Sequence, residues 1–385
     1  MTVAQIGNSL ARRPQRLVSL DVLRGITIAF MILVNDNGSL TYAYWPLKHS
    51  AWNGWTPTDL VFPTFLFLVG VSIVFAIEAR LARHESRGAL LRHIFTRAII
   101  LFLLGIIVNG FPFFPLTTLR IYGVLQRIAV CYLAVSVLYL FSRKVAVLTA
   151  TAVAALVGYW ILMRFVAVPH FGVPTHSIPL LDRDVNWVAY VDRKIFPMRL
   201  YNQTRDPEGL LSDIPACATT LAGVLAGRWL RTGRAARQIS WGLLVAAVSC
   251  LLMGQVWNIF FPINKQLWTS SFVLLSGGWS LLALGICYFL VEIKRWRRGW
   301  TYPWLVFGSN AIVAYMISEL LASTLFSIHV ESNGRLLNLQ DAIYSKIFFS
   351  ILTPAFGSLV YSLLYVLICM VPVAILYRKK IIVKI

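Results

Sequence analysis

Apolar runs of roughly twenty residues, the length that crosses a hydrocarbon core of about 30 Å as an α-helix, alternate with short polar stretches along most of the chain. Read by apolar length and flanking charge, they predict spans near 18–35, 58–79, 93–111, 121–142, 145–168, 209–230, 238–257, 268–291, 302–327 and 357–377. The short alternating strands that would close a barrel are not seen. The pattern therefore predicts an all-α fold, a polytopic membrane helix bundle with about ten transmembrane helices. A further apolar stretch, 341–356, is interrupted around Lys346, Pro354 and Gly357 and is too short to cross alone. It reads as a re-entrant or interfacial helix.

No internal repeat or low-complexity stretch divides the pattern, so residues 1–385 read as a single integral-membrane domain. Its largest extramembrane piece, 169–208, carries Pro174, Pro179, Pro197 and Pro207 among charged residues. That segment reads either as an ordered outer-face cap or as a variable connection.

Composition adds two constraints. With 58% hydrophobic and 13% charged residues, the chain is not a water-soluble globule. The net charge of +20 would suit nucleic acid if the cations were spread over a surface, but they cluster at the ends of the apolar runs. The clusters are Arg12, Arg13 and Arg16; Arg80 to Arg97; Arg143 and Lys144; Arg228 to Arg237; Lys294 to Arg298; and Arg378 to Lys384. With a cytoplasmic N-terminus all of them fall on one side, as the positive-inside rule requires, and no nucleic-acid partner is expected. Such a face also attracts anionic membrane lipid or a phosphorylated cofactor. Cys131, Cys217, Cys250, Cys287 and Cys369 lie inside apolar segments without CxxC spacing, so neither a disulfide framework nor a metal site is expected. Asp21 and Arg24 interrupt the first apolar run, which reads as an uncleaved helix rather than a signal peptide.

The chemistry concentrates between the first two spans, from Asn35 through His49 to Asp59. His49 sits among Trp45, Trp52, Asn53 and Trp55, just before a span opening with Thr58 and Asp59. It reads either as a structural interfacial histidine or as a base in a sheltered cavity. Other polar groups reach the same depth: Asn35 ends the first span, Asp206 and Glu208 open the sixth, and Asn264, Lys265 and Trp268 open the eighth. Deeper lie Asp21 with Arg24, Gln126 with Arg127, and Ser309 with Asn310. Asp21 and Arg24, three apart on one helix face, suit an intrahelical ion pair or a cofactor contact. Asp59 and Asp206 also suit helix N-caps, and Lys265 an interface marker.

Seven segments occur in a telling order: SLDVLRG at 19–25, NDNG at 35–38, KHSAWNGWTPTDLVFPTFLFLVG at 48–70, RIYGVLQRIAVCY at 120–132, DPEGLLSDIPA at 206–216, FPINKQLWTSS at 261–271 and VFGSNAI at 306–312. Together they resemble the heparan-alpha-glucosaminide N-acetyltransferase family, a branch of the transmembrane acyltransferases. The resemblance implies acetyl transfer from cytoplasmic acetyl-CoA, as donor substrate and without a metal, to the amino group of a glucosamine-type sugar on the other face. It aligns the catalytic histidine with His49, as base or transient acetyl acceptor, and a catalytic asparagine with Asn35. On this reading Arg24, Gln126 and Arg127 support the donor. Asn53, Asp59, Asp206, Glu208, Asn264, Lys265 and Trp268 surround the acceptor, with Asn264 in more direct contact than Lys265. Lysosomal members carry an additional lumenal N-terminal region and a preceding helix, whereas this sequence reads as the bare membrane domain of bacterial relatives. A multi-pass protein of a bacterial inner membrane is expected, acting on a small amino sugar or envelope glycan, with a homodimer as a further expectation. The rival reading is a transporter of an amino sugar or related solute, against which the lack of visible inverted repeats counts.

Overall fold

A backbone in hydrocarbon has no water to bond, so each apolar run satisfies its own N–H and C=O groups by coiling into a helix. The computed structural model describes residues 17–297, 299–332 and 334–383. Arg12, Arg13, Arg16, Arg298 and Lys384, assigned above to the basic flanks, lie outside the described residues. Among the described residues, nine helices are long and apolar enough to cross a membrane, and one bent helix pair passes the same test as a unit.

The chain runs through α1 (Val18–Asn35), α2 (Val61–Leu81, entered by a tight turn at Pro57–Leu60), α3 (Arg87–Gly110), α4 (Val124–Phe141) and α5 (Val145–Phe165). A short helix α6 (Trp187–Ile195) lies in the long connection before α7 (Asp213–Leu230). Then follow α8 (Ala236–Asn258), α9 (Ser270–Tyr288, continuing in a wider turn to Ile293) and the bent pair α10 (Tyr302–Ser309) and α11 (Ala311–Ser327). A small antiparallel hairpin pairs β1 (His329–Ser332) with β2 (Arg335–Asn338). Short helices α12 (Leu339–Ile343) and α13 (Phe349–Ile351) precede the last span, α14 (Pro354–Arg378). Alternating spans put Arg80, Arg143, Arg231, Lys294 and Arg378 at one end of the bundle, and the 36–56, 111–123, 166–209, 259–269 and 328–353 connections at the other.

The helices sort into two rings. In the most apolar 18-residue stretch of each span, 67% is buried in α1, α2 and α7, against 17% in α5 and 22% in α3 and α8, so the first set forms the centre and the second the periphery. Glycines set the central crossings. A Cβ on Gly70 would lie 1.9 Å from the Thr220 carbonyl oxygen, and one on Gly223 would lie 1.9 Å from that of Phe67. Helices α2 and α7 therefore touch backbone to backbone, the close approach that small residues permit in membranes. Gly25 against Trp304 and Gly308 against Asp21 make an equally close crossing of α1 with α10.

Two elements differ from the sequence expectation. The run 302–327, expected as one span, is bent by 76° between α10 and α11. The break falls at Asn310, 2% exposed, whose carboxamide donates to the Ile381 carbonyl at 3.0 Å and accepts from the Val383 N–H at 2.9 Å. A broken backbone at membrane depth persists only where protein covers it, and here the C-terminal tail supplies the cover. The stretch 341–356 divides at Leu352 and Thr353, with Pro354 already the first residue of α14. The preceding short helices lie at the polar-loop end, where Gln340 donates to the Asn37 carbonyl at 2.8 Å.

Candidate active site

The loop after α1 is shaped by hydroxyls that replace missing backbone partners. Thr56 Oγ1 donates to the Lys48 carbonyl at 2.6 Å, and Thr58 Oγ1 to that of Pro46 at 2.8 Å, folding the His49 segment against the start of α2. Thr56 and Asp59 form a reciprocal cap at that helix entry. The carboxylate so fixed is fully buried. Its Oδ2 accepts from the backbone N–H groups of Ser50 and Thr56 at 3.0 Å each, and its Oδ1 lies 2.7 Å from His49 Nδ1. Lys265 Nζ approaches the same Oδ1 at 3.5 Å and lies 2.9 Å from His49 Nδ1 and 3.4 Å from Nε2. Asp59, expected at the acceptor, lines the cavity and directs its hydrogen bonds to these neighbours.

His49, with its side chain 47% exposed, opens onto a cavity of about 540 Å³. That size falls in the usual range of about 300–1,000 Å³ for a small-molecule site. Asn35, Glu208, Lys265 and Trp268 line it with His49. So do Asp36 at the end of α1, Arg120 in the loop before α4, and Glu319 on α11. Arg120 grips two carboxylates: Nε donates to Asp206 Oδ2 at 2.8 Å, and Nη2 donates to Asp206 Oδ1 and Glu208 Oε2 at 2.5 Å each. Burial works against the Arg120 charge, yet the two acids prevail and raise its pKa further. Burial would likewise raise the Glu208 pKa, but Arg120 and Arg127 outweigh it and hold the carboxyl below its ordinary value. Asp206, 3% exposed behind Arg120, holds that guanidinium rather than facing the cavity. Lys265 moves the other way. Burial pulls its ammonium below the ordinary lysine value, against the opposing charges of Asp59 and Glu208.

Tyr201, Asn202 and Pro207 bring the 166–209 connection into the cavity wall. That connection is pinned by Trp52 Nε1 donating to the Leu181 carbonyl at 2.8 Å, by Tyr122 stacked on Phe196, and by Arg120.

Several expected residues lie elsewhere. Asn264 is fully buried; it donates to Asn53 Oδ1 at 3.2 Å and accepts from the Leu267 N–H at 2.9 Å. With the Gly54 N–H on the Ile263 carbonyl at 2.8 Å, this pair braces the His49 loop against the Lys265 turn. Lys265 lines the cavity and Asn264 does not. Arg127, expected at the donor, is fully buried near the opposite end of the bundle from the basic face. It bonds Asp213 at 3.0 Å and Ser212, and stacks 4.8 Å over the Trp268 ring, so it meets the cavity only through that indole. Gln126 packs its buried amide against Gly105. Arg24 bonds Asp21 at 3.0 Å, the Gly308 carbonyl at 3.2 Å and Ser72 Oγ at 3.1 Å, at the α1–α10 crossing.

Arg120, Asp36 and Glu319 are charged residues of the cavity that were not among the site residues expected from the sequence. Two signals were there to find. Glu319 is an acid inside an apolar run, and Arg120 is a cation on the face that the basic clusters avoid. The whole site offers an imidazole fixed by a carboxylate, a carboxamide donor, and both signs of charge in a sheltered cavity. Those are the parts of a group transfer needing a base and an oxyanion partner.

Residues 16–261 match the family model described as heparan-alpha-glucosaminide N-acetyltransferase, catalytic. The chain belongs to that family. The heparan-alpha-glucosaminide N-acetyltransferases of Homo sapiens and Mus musculus are 31% and 30% identical to it, over 81% and 80% of this chain and 54% of each relative. The chain thus spans about half the length of the curated relatives it matches. The heparan-alpha-glucosaminide N-acetyltransferase match takes in His49, Asp59, Asn35, Arg120 and Glu208, while Lys265, Trp268 and Glu319 lie beyond it.

Proposed function

We propose that this cavity transfers an acetyl group from acetyl-CoA to the amino group of a glucosamine-type sugar. The observation that carries the reading is the 2.7 Å contact between His49 Nδ1 and Asp59 Oδ1, in a cavity shared with Asn35. The relatives are glucosaminide N-acetyltransferases by name, and the matching family model spans both residues of the contact. The basic face is the cytoplasmic one under the positive-inside rule, and its field gathers the anionic donor there. The acceptor then enters from the opposite, loop-bearing face, which in a bacterial inner membrane is periplasmic. Arg24, about 16 Å along α1 from Asn35, stands on the side from which the donor arrives.

The Nδ1–H of His49 donates to Asp59, which leaves the lone pair on Nε2. As the amine nitrogen attacks the thioester carbon, Nε2 takes its proton, and Asp59 stabilises the imidazolium that forms. Negative charge gathers on the carbonyl oxygen. One N–H of the Asn35 carboxamide reaches Glu319 Oε1 at 3.4 Å, and the second is the donor for that oxygen. Lys265, 2.9 Å from Nδ1 and 3.4 Å from Nε2, must swing away from the ring for this tautomer to form and for the amine to approach. Phe62 meets Trp268 edge-on at 5.3 Å, and the two give the thioester an apolar floor.

The test is purified protein in detergent, supplied with labelled acetyl-CoA and glucosamine or glucose. Label is expected in N-acetylglucosamine, with none on glucose. Sugar uptake into proteoliposomes without acetyl-CoA, and no acetylated product, would contradict the proposal in favour of carriage. An acetylated enzyme trapped before sugar is added would place a covalent step on His49, and an obligatory ternary complex would make the transfer direct.

A further inference from the structure

An amino sugar near neutral pH arrives as an ammonium, and its nitrogen must lose two protons to become an amide. His49 accounts for one. The other needs a second base at the place where the ammonium docks.

We infer that Asp36 and Glu319 form this ammonium site, binding the acceptor's charged amine beside Asn35 and taking its first proton. The inference rests on the acetyl-transfer reading above. Both acids line the cavity, Asp36 from the end of α1 and Glu319 from α11, and Asn35 bridges towards the latter at 3.4 Å. The other acids of the cavity wall are paired, Asp59 with His49 and Lys265, and Glu208 with Arg120. Among the described residues, Asp36 and Glu319 form no ion pair. Asp36 is 6% exposed, and its Oδ2 is buried without a hydrogen-bond partner. A buried carboxyl oxygen left unpartnered costs of the order of 1–3 kcal/mol, more if charged, and an ammonium N–H removes that cost.

Two nearby carboxyls resist ionising together, and the inferred step starts with one proton shared between them as the ammonium docks. The Asp36 carboxyl is accordingly raised well above its ordinary value by burial and, second, by the Glu319 charge. The other ionisable groups around the pair are Tyr315 on α11, Tyr361, Tyr365 and Cys369 on α14, and Glu208 and Arg120 on neighbouring connections. The step balances. One N–H bond of the ammonium breaks and one O–H bond forms on the ionised carboxyl, leaving a neutral amine between two neutral acids. His49 takes the second proton as the C–N bond forms, and the departing thiolate of coenzyme A receives it. The proton on the carboxyl pair leaves to solvent on the loop-bearing face.

The experiment compares glucosamine with an O-alkylhydroxylamine, an acceptor already neutral at pH 7, in the wild type, Asp36→Asn and Glu319→Gln. Each substitution is expected to lower kcat/KM for glucosamine relative to the neutral amine by about 10- to 100-fold, chiefly through KM. It should also shift the pH profile with glucosamine alone. Equal losses on both acceptors would show a merely structural role and overturn the inference, as would unchanged discrimination. A measurement on the wild type needs no variant: glucosamine should compete with the hydroxylamine at least about 10-fold better than glucose does, and equal competition overturns the inference. Should the wild type acetylate neither amine, it is the transfer reading that fails.

Discussion

Asp59 accepts from His49 Nδ1 at 2.7 Å while its other oxygen holds the N–H groups of Ser50 and Thr56, so one carboxylate both folds the loop and orients the ring. Asp59→Asn keeps the size and most of the loop contacts but offers an N–H or a weaker acceptor to Nδ1. Turnover is expected to fall by about 10²–10⁴ with little change in thermal unfolding, because the wrong tautomer disables the base. Steady-state rates at saturating substrate, set beside a melting curve, check this.

Asn35→Ala removes the carboxamide expected to meet the oxyanion. Loss of one such donor costs about 3–4 kcal/mol of transition-state stabilisation, so kcat should drop by about 10²–10³. Acceptor KM should move much less, and a parallel rise in KM would shift the role of Asn35 to binding.

Arg120 ties the 166–209 connection to the cavity by gripping Asp206 and Glu208. Arg120→Ala strands two mostly buried carboxylates, an uncompensated charge worth about 3–5 kcal/mol. Amide exchange over 199–209 should rise well above that of the helices. Arg120→Lys should recover only part of the protection, since an ammonium lacks the planar fork that bonds both acids.

Asp192 on α6 gives the same connection a pH dependence. Burial raises its carboxyl to about 7 from 3.8, helped by Asp206 and opposed by the Leu210 N–H and by Arg127. A carboxyl with a raised folded pKa binds more protons folded than unfolded. The stability it lends is therefore whole below about 4 and is lost as pH rises towards 7. Proteolysis of residues 182–209 should quicken across that window in the wild type, and the trend should flatten in Asp192→Asn.

The spans were legible because lipid enforces apolar length, and α1, α2, α7 and α8 begin and end within a few residues of the sequence reading. The bend at Asn310 was not, because it depends on a tail some seventy residues away, through Val383 and Ile381. In the site, His49 and Lys265 were legible as members of polar clusters at span ends, and both line the cavity. Asp36 and Glu319 meet only when α11 packs beside α1, a pairing that no local periodicity encodes. Asn264 and Arg127 drew notice by their chemistry, yet the fold spends both on internal bonds, to Asn53 and to Asp213.

The crossing of α2 with α7 sets the frame for all of this. Gly223→Ala forces a methyl into the Phe67 carbonyl and should cost about 1–3 kcal/mol, lowering the melting temperature in detergent, whereas the open, right-handed Gly158 should tolerate alanine.

In the proposed transfer His49, held by Asp59, removes the proton from the attacking amine. The most direct test mixes wild type or His49→Gln with labelled acetyl-CoA and glucosamine and follows one turnover. The wild type should form N-acetylglucosamine, with the variant slower by about 10²–10⁴ although it still binds acetyl-CoA. Equal rates in the two proteins would show that His49 is not the base.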